Sequence, residues 1–521
     1  MENMLTPAIL LGIWAGICVM DMVGPQFMLW RPLISGAGAG LILGDLQTGL
    51  IIGGGVELIW LVLVNIGGAA PPDVTMGGII AVAVAHFTGT KDVGIALAAA
   101  LPAALIAQQA WSLVWMLNTW WIHRQDAAAE RGDIKAAERL HIWAGFPMWF
   151  IAYFLIAFAS VYWGIPALET FIDKLPSWLM GGLSTAGGLL PALGITLLLS
   201  QILTKVNWPF FLIGFVLASF LGLPVIATAL IGTGVAFLMY FAVDMMNGGA
   251  TGAAPEDSAA PEGMLTKGDR RRMFLRSLTA ISDGNAERHL AGTFLYVMGV
   301  PFRKYFKTKE EMAEAMKRHL IFYNVQPTLT TFVMGSVAAM EEKLEDKDAI
   351  VAYKAGVMGP LAGIGDSLIW LTLMPLTFAI GASMAITGNV AGPIVALLLF
   401  NIVNVPLKYY GIELGYTRGM ALMEQLRGGL MEKIAKASAV VGLMVMGTAL
   451  VRTVSLTTPV AIKLGEDYMS IQPAIDGIMP SLLTLGFSML ILWALRKGVS
   501  AMTIMLLILV FSVLFTAIGI I

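Results

Sequence analysis

Cysteine is almost absent from this chain, because Cys18 is the only one among 521 residues. A single thiol excludes an internal disulfide and any metal site built from clustered cysteines. Charge is also scarce: Asp, Glu, Lys and Arg make up 13% of the residues, against about 25% in soluble domains. Hydrophobic residues reach 58%, and the mean hydropathy is +0.80. The composition therefore predicts a polytopic membrane protein.

The motifs of soluble catalysts are missing too. The chain contains no GxxxxGKS/T phosphate loop, no histidine pair at metal-binding spacing and no GxSxG nucleophile elbow. We therefore expect no ATP hydrolysis, no bound metal and no cofactor. The net charge of −2 indicates no nucleic-acid partner. The histidines are scattered, and we expect His123 and His141 to be solvated beside a basic loop and His319 to lie on the surface.

Long apolar runs take the place of charge. Val499–Ile521 has 23 residues without a charge, enough for one helical span of about 20 residues. Spans are expected near 4–22, 93–121, 143–164, 183–203, 208–223, 226–243, 389–407, 436–455, 476–495 and 499–521. Glycine and proline interrupt 31–87 and 327–383, where we expect re-entrant or broken helices. The predicted fold class is an all-α polytopic membrane protein.

A linker divides the chain into two halves. Residues 247–263 lack Leu, Ile, Val and Phe, and 11 of the 17 are Ala, Gly or Pro, so the segment should be flexible. It separates a membrane module at 1–246 from a second module at 264–521. The second module begins with a polar, helix-forming stretch at 264–323, which we expect to be a helical cap, and continues as a membrane part at 324–521. ELIWL at Glu57–Leu61 is echoed by SLIWL at Ser367–Leu371, as an inverted repeat would allow.

Basic residues predict the orientation. Lys267–Arg318 carries 12 of the 32 basic residues, and His123–His141 carries four more. Cytoplasmic loops accumulate Lys and Arg, so both segments and the linker should be cytoplasmic. Arg496 and Lys497 place the start of the last helix inside by the same rule, and Ile521 outside.

Polar residues at membrane depth are the candidate binding groups in the first half. Gly44–Asp73 is glycine-rich and apolar, yet Glu57, Asn65 and Asp73 recur in it at eight-residue intervals. Carboxylates and carboxamides can each pair with two adjacent hydroxyls of a sugar. The alternatives are that Glu57 or Asn65 cross-links helices and that Asp73 is a helix N-cap. We expect Asp45, in the same segment, to be a turn or cap residue.

The second half offers a similar set. Asn324 and Gln326 lie in the sequence YNVQP, where the cap enters the membrane part, and Asp366 lies in a segment broken by glycine and proline. A buried acid in such a segment is typical of a functional site. The carboxamides are equally suited to capping a broken helix end, and Asp366 to capping a glycine loop.

These segments resemble a known family. The first module is similar to the IIC subunit of mannose-family sugar phosphotransferase systems, through RPLISGAGAGLILGDLQTGLIIGGGVELIWL, NIGGAAPPD and GGLSTAGGLLPALG. The second is similar to the IID subunit, through LTKGDRRRMFLRS, RHLIFYNVQP, VMGPLAGIGDSLIW, YYGIELGYTRG and MPSLLTLG. The likeness covers nearly the whole chain, and it implies that two subunits usually separate are fused here.

The resemblance also implies a mechanism. IIC and IID subunits form trimers of pairs in the bacterial inner membrane, related by inverted topology, and bind sugar between mobile core domains. A soluble IIB protein, supplied through IIA, carries phosphate on a histidine and transfers it to the sugar, usually at C6. The implied substrate-binding residues are Glu57, Asn65, Asp73, Asn324, Gln326 and Asp366.

Two departures from the family pattern affect specificity. The stretch before Arg31 reads DMVGPQFMLW and includes Gln26, whereas an acidic, glutamine-containing stretch is usual. Where IID-like subunits have an NYERMQ-type segment, this chain has NAERHL, with Arg288 kept and His289 new. These changes imply a substrate other than mannose or glucose, such as an amino sugar or a sugar conjugate. The main alternative function is an ion-coupled secondary sugar transporter, in which Asp73 or Asp366 would carry the coupling proton.

Overall fold

A computed structural model describes residues 2–61, 72–167, 176–242, 263–343, 347–427, 430–454, 456–464, 467–518 and 520. Helices dominate these residues, so the predicted all-α membrane fold is confirmed. The helices of the first half are α1 (Glu2–Val23), α2 (Pro32–Ile42), α3 (Leu46–Ile59), α4 (Val74–Thr88), α5 (Val93–Glu130), α6 (Ile134–Ala159), α7 (Ser177–Leu189), α8 (Pro191–Ile202), α9 (Trp208–Ser219) and α10 (Val225–Phe237).

The second half contains the cap and a further set of apolar helices. Its helices are α11 (Lys267–Ser277), α12 (Ala291–Tyr305), α13 (Lys309–His319), α14 (Thr330–Lys343), α15 (Lys347–Gly365), α16 (Met374–Ala385), α17 (Ala391–Arg427), α18 (Leu430–Thr453), α19 (Ile471–Ile478), α20 (Leu482–Arg496) and α21 (Ala501–Ala517). One antiparallel hairpin, β1 (Ala461–Leu464) and β2 (Asp467–Ser470), has no counterpart in the predictions.

Several spans agree with the predicted positions. Five described helical runs are long and apolar enough to cross a membrane. Four of them lie at predicted spans: Met4–Val23, Val93–Glu130, Ile134–Ala167 and Ala391–Gly419. The fifth, Lys347–Ala385, does not. The span expected at 476–495 is a pair, α19 and α20, bent by 77°. The span expected at 183–203 divides into α7 and α8, because Pro191 starts a new helix.

One prediction of a break is wrong in part. Within 327–383, the residues 347–385 form a continuous helical run, in which Asp366–Leu373 is π-helical between α15 and α16. Glycines and prolines therefore do not end this helix. π-helical turns of this kind occur mostly inside α-helices, frequently at functional sites.

The expected break in the first half is present. α2, α3 and α4 are short, and glycines let the first two touch. A Cβ on Gly36 would lie 2.8 Å from the Cα of Gly53, and one on Gly40 would lie 2.6 Å from the Cα of Gly49. Small residues permit this close packing of membrane helices. Asp45 caps α3 as predicted, since its carboxylate accepts from the Thr48 N–H at 3.1 Å.

The two halves interlock. α18 of the second half packs on α9 and α10 of the first, and α20 and α21 pack on α8 and α7. At Gly214 a Cβ would lie 1.9 Å from the carbonyl oxygen of Met444, so α9 and α18 are in backbone contact. One hydrophobic core consequently contains buried residues of both halves. The inverted-repeat relation stays a prediction.

The cap sits on the ends of α5 and α6, next to the basic loop. Arg276 and Arg303 both donate to the Glu138 carboxylate, at 2.6 and 2.5 Å. His123 is half-exposed, as expected. The expectations for the other two histidines are wrong: His141 is buried against Asp283 at 2.9 Å, and His319 is buried against Glu341 at 2.8 Å. The carboxylates of Asp283 and Glu341 are distant from these histidines in the sequence, so the pairing could not be predicted.

Candidate functional site

Glu57 forms a buried ion pair at the centre of the first half. The Arg31 Nε donates to Glu57 Oε1 at 2.9 Å, and the Leu33 N–H donates to Oε2 at 3.2 Å. The Arg31 guanidinium also donates to the carbonyl oxygens of Trp60 and Leu61, at 3.2 Å each. The pair ties the start of α2 to the end of α3. Both oxygens of Glu57 therefore already accept from protein donors.

Asp73 caps α4 and joins it to α6. Its carboxylate accepts from the Met76 N–H at 2.7 Å, which is the N-cap alternative of the sequence analysis. The hydroxyl of the buried Tyr153 donates to the other oxygen, and the Asp73 N–H donates to the Ala104 carbonyl at 3.1 Å. Asp73 thus has a fixed position at the junction of three helices. Asn65 lies outside the described residues.

The candidates of the second half meet near the start of α14. Gln326 Oε1 accepts from the N–H groups of Thr328 and Leu329, at 2.7 and 3.2 Å, so this carboxamide caps the turn before the helix. A Cβ on Gly365 would lie 2.4 Å from the Cβ of Gln326, which places the neighbouring Asp366 beside this turn. The side chains of Asn324 and Asp366 are half-buried and make no hydrogen bond within the described part of the chain.

Gln26 lies in a loop that the second half grips. Asn404 of α17 donates to the Gln26 carbonyl at 3.1 Å, and its amide oxygen accepts from the Thr328 hydroxyl at 2.8 Å. Asn401 and Lys408 donate to the carbonyls of the residues on either side of Gln26. The loop of the first half and the Gln326 turn of the second therefore share one polar side chain.

Sequence reasoning missed Asn401, Asn404 and Lys408. These positions are i, i+3 and i+7 of α17, so they share one face of a helix that is otherwise apolar there. Polar residues repeating at that spacing within a predicted span indicate a face that contacts protein. Such residues are unfavourable on a helix face exposed to lipid.

Several buried polar atoms of the first half make no hydrogen bond among the residues that the structure describes. Within the described residues, no hydrogen bond reaches Trp30 Nε1, Ser35 Oγ, Trp60 Nε1, Thr75 Oγ1 or Gln26 Oε1. The rings of Trp30 and Trp370 stand 6.4 Å apart and bring the first half against the π-helical segment. Buried polar atoms are nearly always hydrogen-bonded. Donors and acceptors left free here are suited to a hydroxylated ligand.

Arg288 and His289 lie in the cap, where they contact α5. Arg288 donates to the Asp126 carboxylate at 2.5 Å and to the Leu320 carbonyl at 3.0 Å. His289 has a left-handed backbone, with φ of 50°, and its ring lies 5.2 Å from that of Trp115. Burial lowers the pKa of His289, so the ring is neutral at physiological pH. The backbone of this segment pairs with Tyr323, the residue before Asn324: the Tyr323 N–H donates to the Arg288 carbonyl at 3.3 Å.

Spanning helices, irregular backbone beside buried polar groups, and polar segments that meet from two halves define a polytopic membrane transport protein. The comparisons with known proteins identify its family. A family model described as PTS system mannose/fructose/sorbose family IID component matches residues 264–521. A second, described as PTS system sorbose-specific iic component, matches residues 5–238.

Individual relatives agree with this assignment. The chain is 36% identical over 254 residues to the fructose permease IID component of Bacillus subtilis (strain 168), covering 47% of this chain and 92% of that protein. It is 33% identical over 268 residues to the sorbose-specific EIIC component of Lacticaseibacillus casei, covering 49% of this chain and 96% of that protein. A solved structure described as "Structure of membrane protein" is 32% identical, with a TM-score of 0.47, and covers 49% of this chain and 98% of that one.

The chain belongs to the mannose/fructose/sorbose family of phosphotransferase-system permeases, as a IIC component fused to a IID component. Its function is sugar uptake through that system, together with the soluble proteins of the system. The comparisons give no support to the ion-coupled alternative.

Proposed function

We propose that this permease binds one sugar molecule at the junction of its halves and presents it to a phosphorylated IIB protein. The observation that supports this most is the buried connection from Gln26 of the first half, through Asn404, to Thr328 of the second. Polar groups at membrane depth are costly and usually mark a substrate path. Transporters built from repeats commonly bind substrate where the repeats meet.

The binding residues have different roles in this proposal. The full set is Glu57, Asn65, Asp73, Asn324, Gln326 and Asp366. Asn324 and Asp366 have free hydrogen-bonding capacity among the described residues and are assigned direct contacts with sugar hydroxyls. Glu57 and Gln326 accept from protein donors and hold the backbone around the site. Asp73 retains acceptor capacity, because each carboxylate oxygen has two lone pairs.

The chemical step belongs to the partner. IIB carries the phosphoryl group on a histidine. The P–N bond breaks, a bond forms from phosphorus to a sugar oxygen, usually at C6, and the proton of that hydroxyl goes to the histidine nitrogen that is released. IIB is recharged from phosphoenolpyruvate through IIA and other soluble proteins. This chain contributes no catalytic side chain of its own. It contributes positioning, which supplies much of the catalysis in phosphoryl transfer.

The cap side is the side on which IIB is proposed to dock. The two most basic segments, the loop at 123–141 and the cap, are in contact through Glu138 and Asp126. The positive-inside rule assigns that side to the cytoplasm, and the family resemblance implies the inner membrane of a bacterium. We also propose that fused chains assemble as homotrimers, as the family resemblance implies.

The substrate is proposed to be a sugar other than mannose or glucose, such as an amino sugar or a sugar conjugate. Gln26 supports a specificity role, because its side-chain oxygen is buried without a hydrogen-bond partner in the described residues. For Arg288 and His289, a role in specificity stays a prediction, since their described contacts are within the cap and with α5.

Reconstituted vesicles provide the test. The full chain is placed in vesicles, with IIB, phosphoenolpyruvate and the soluble relay proteins on the cap side. Sugar phosphate should form only when both IIB and phosphoenolpyruvate are present, and a protonophore should have no effect. The matched control is IIB with its phosphorylated histidine replaced. Uptake of free sugar without IIB, abolished by a protonophore, would instead establish ion coupling.

A further inference from the structure

One face of α17 grips three consecutive carbonyls of the first half. Lys408 Nζ donates to the Pro25 carbonyl at 2.7 Å, Asn404 Nδ2 to that of Gln26 at 3.1 Å, and Asn401 Nδ2 to that of Phe27 at 2.9 Å. The donors are spaced i, i+3 and i+7, so they form a row on one helix. Asn404 is the central member and is fully buried.

The same Asn404 side chain also contacts the Gln326 turn of the second half. Its amide oxygen accepts from the Thr328 hydroxyl at 2.8 Å, while the Thr328 N–H donates to Gln326 Oε1 at 2.7 Å. Thr328 and Gln326 are both buried. A continuous row of hydrogen bonds therefore runs from the backbone of Gln26 to the side chain of Gln326. These bonds lie within the protein core, where no water competes for them.

The loop at the other end of this row is tightly constrained. Gln26 and Met28 have left-handed backbones, with φ of 56° and 77°, a conformation that is unfavourable for a residue with a side chain. The Asp21 carboxylate holds the loop by accepting from the N–H groups of Phe27 and Leu29, at 2.8 and 2.7 Å. A loop held in this conformation aims the Gln26 side chain in a defined direction. Its buried Oε1, without a partner in the described residues, is an acceptor available to a ligand.

We propose that Asn404 is a positioning residue that sets sugar specificity. With one carboxamide it fixes Gln26 of the first half and the Gln326 turn of the second at a common spacing. The inference rests on the proposed sugar site at the junction. A pocket whose polar groups are held at fixed spacing rejects ligands that leave those groups unpaired. Loosening the spacing should raise the KM for the native sugar by a larger factor than it lowers kcat. It should also reduce the difference in kcat/KM between the native sugar and other sugars.

Variants of the full chain test each branch of the row. Asn404→Ala removes both bonds, Asn404→Asp keeps the acceptor for Thr328 but loses the donor to Gln26, and Thr328→Val removes only the second-half branch. Thr328→Ser restores the hydroxyl. Thr417→Ala is the matched control, because its hydroxyl bonds only within α17, to the Glu413 carbonyl. KM, kcat and the ranking of a panel of sugars are measured with IIB and phosphoenolpyruvate, and sugar binding to the purified protein is measured separately.

The expected result is a KM raised roughly tenfold or more by Asn404→Ala and Thr328→Val, the effect of losing one or two buried hydrogen bonds, with a smaller change in kcat. The sugar ranking should change with it, and Thr328→Ser should recover the wild-type values. Wild-type KM and ranking in both variants would overturn the inference. So would losses explained entirely by the amount of folded protein. If the wild-type chain binds sugar but phosphorylates none, the proposed function is wrong. The measurement of sugar binding to the purified variants then still decides the role of Asn404.

Discussion

Arg31 and Glu57 form an ion pair in which neither side chain is exposed. The pair joins the short helices α2 and α3, whose backbones are in contact at glycines. They lie in the part of the first half where the helices are interrupted. The sequence predicts Glu57 as a sugar ligand or, alternatively, as a cross-link between helices. Its contacts show that cross-linking is at least one of its roles, because Arg31 and the Leu33 N–H use both of its oxygens.

Glu57→Gln should therefore act mainly on folding. It leaves the Arg31 charge buried without its counter-ion, and breaking one partner of a buried pair costs about 3–5 kcal/mol. We expect a lower unfolding temperature of the purified protein and little permease in the membrane. The double variant Arg31→Met with Glu57→Leu should recover most of the stability, since apolar replacements of both partners are often neutral. If Glu57→Gln inserts and unfolds like the wild type, the pair has no such role.

Asp73→Asn should strongly reduce sugar phosphorylation and leave the protein folded. Asn is as good an N-cap as Asp. With its oxygen on the Met76 N–H, its amide NH2 can donate to the Tyr153 hydroxyl, so the helix junction survives. Loss of the charge should reduce kcat/KM by about 10- to 100-fold, the usual effect of a hydrogen bond to a charged group. Tyr153→Phe is the control, because it keeps the carboxylate and the cap. Unchanged uptake by Asp73→Asn would remove Asp73 from the proposed site.

Asn324→Ala should impair sugar phosphorylation without a structural cost. The Asn324 side chain makes no hydrogen bond in the described part of the chain, so its removal leaves no protein group unpaired. We expect KM to rise about tenfold, with an unfolding temperature equal to that of the wild type. Gln326→Ala is the comparison, and it should also lower the unfolding temperature, because Gln326 caps two backbone N–H groups. A wild-type KM for Asn324→Ala would exclude a direct sugar contact.

His319 predicts how the cap responds to pH. Burial lowers its pKa to about 4, against about 6.5 in an unfolded chain, so the folded state binds fewer protons between these values. Stability should consequently fall as the pH decreases from about 6.5 to about 4, by at most about 3 kcal/mol. Burial acts to raise the pKa of Glu341, but the hydrogen bonds from His319 and Arg318 outweigh it and lower the pKa to about 2, so this partner stays ionised.

The measurement is the unfolding temperature of the purified protein between pH 7.5 and pH 4. His319→Gln should remove the part of the decrease that lies in this window, and His123→Gln, at a half-exposed position, should not. Arg318 and Lys354 also face this group, and both are left unchanged in all the variants compared. Equal pH profiles for His319→Gln and the wild type would show that His319 does not titrate as described.

Separated halves should reassemble. When the chain is cut within 247–263 and the two parts are co-expressed, sugar phosphorylation should be preserved, because α18, α20 and α21 of the second half pack directly on helices of the first. Copurification of the parts and phosphorylation with IIB measure the outcome. Activity lost while both parts are present in the membrane would count against two separable modules.

Composition and helix-breaking residues were sufficient to predict much of this fold. Long uncharged runs predicted spans such as α1, α5 and α17, and the glycines of 31–87 predicted the short helices. Asp45 was predicted as a cap from its turn sequence. These features depend on neighbours within one helix or turn, which a sequence displays directly.

Features that depend on distant contacts were not predictable. His141 and His319 read as surface residues, because the carboxylates that accompany them in the interior come from Asp283 and Glu341. Asn404 was overlooked inside an apolar span, since its partners, Gln26 and Thr328, lie 378 and 76 residues away in the chain. The run at 347–385 stays helical through its glycines, with a π-helical segment at Asp366–Leu373, and the sequence pattern alone does not display this.

The most direct test is a structure of the full chain in lipid nanodiscs with its sugar bound. The account predicts one sugar at the junction, hydrogen-bonded to Asn324 or Asp366 of the second half and to Asp73 of the first. A sugar held by residues of one half alone, away from the Gln26 loop, would contradict it.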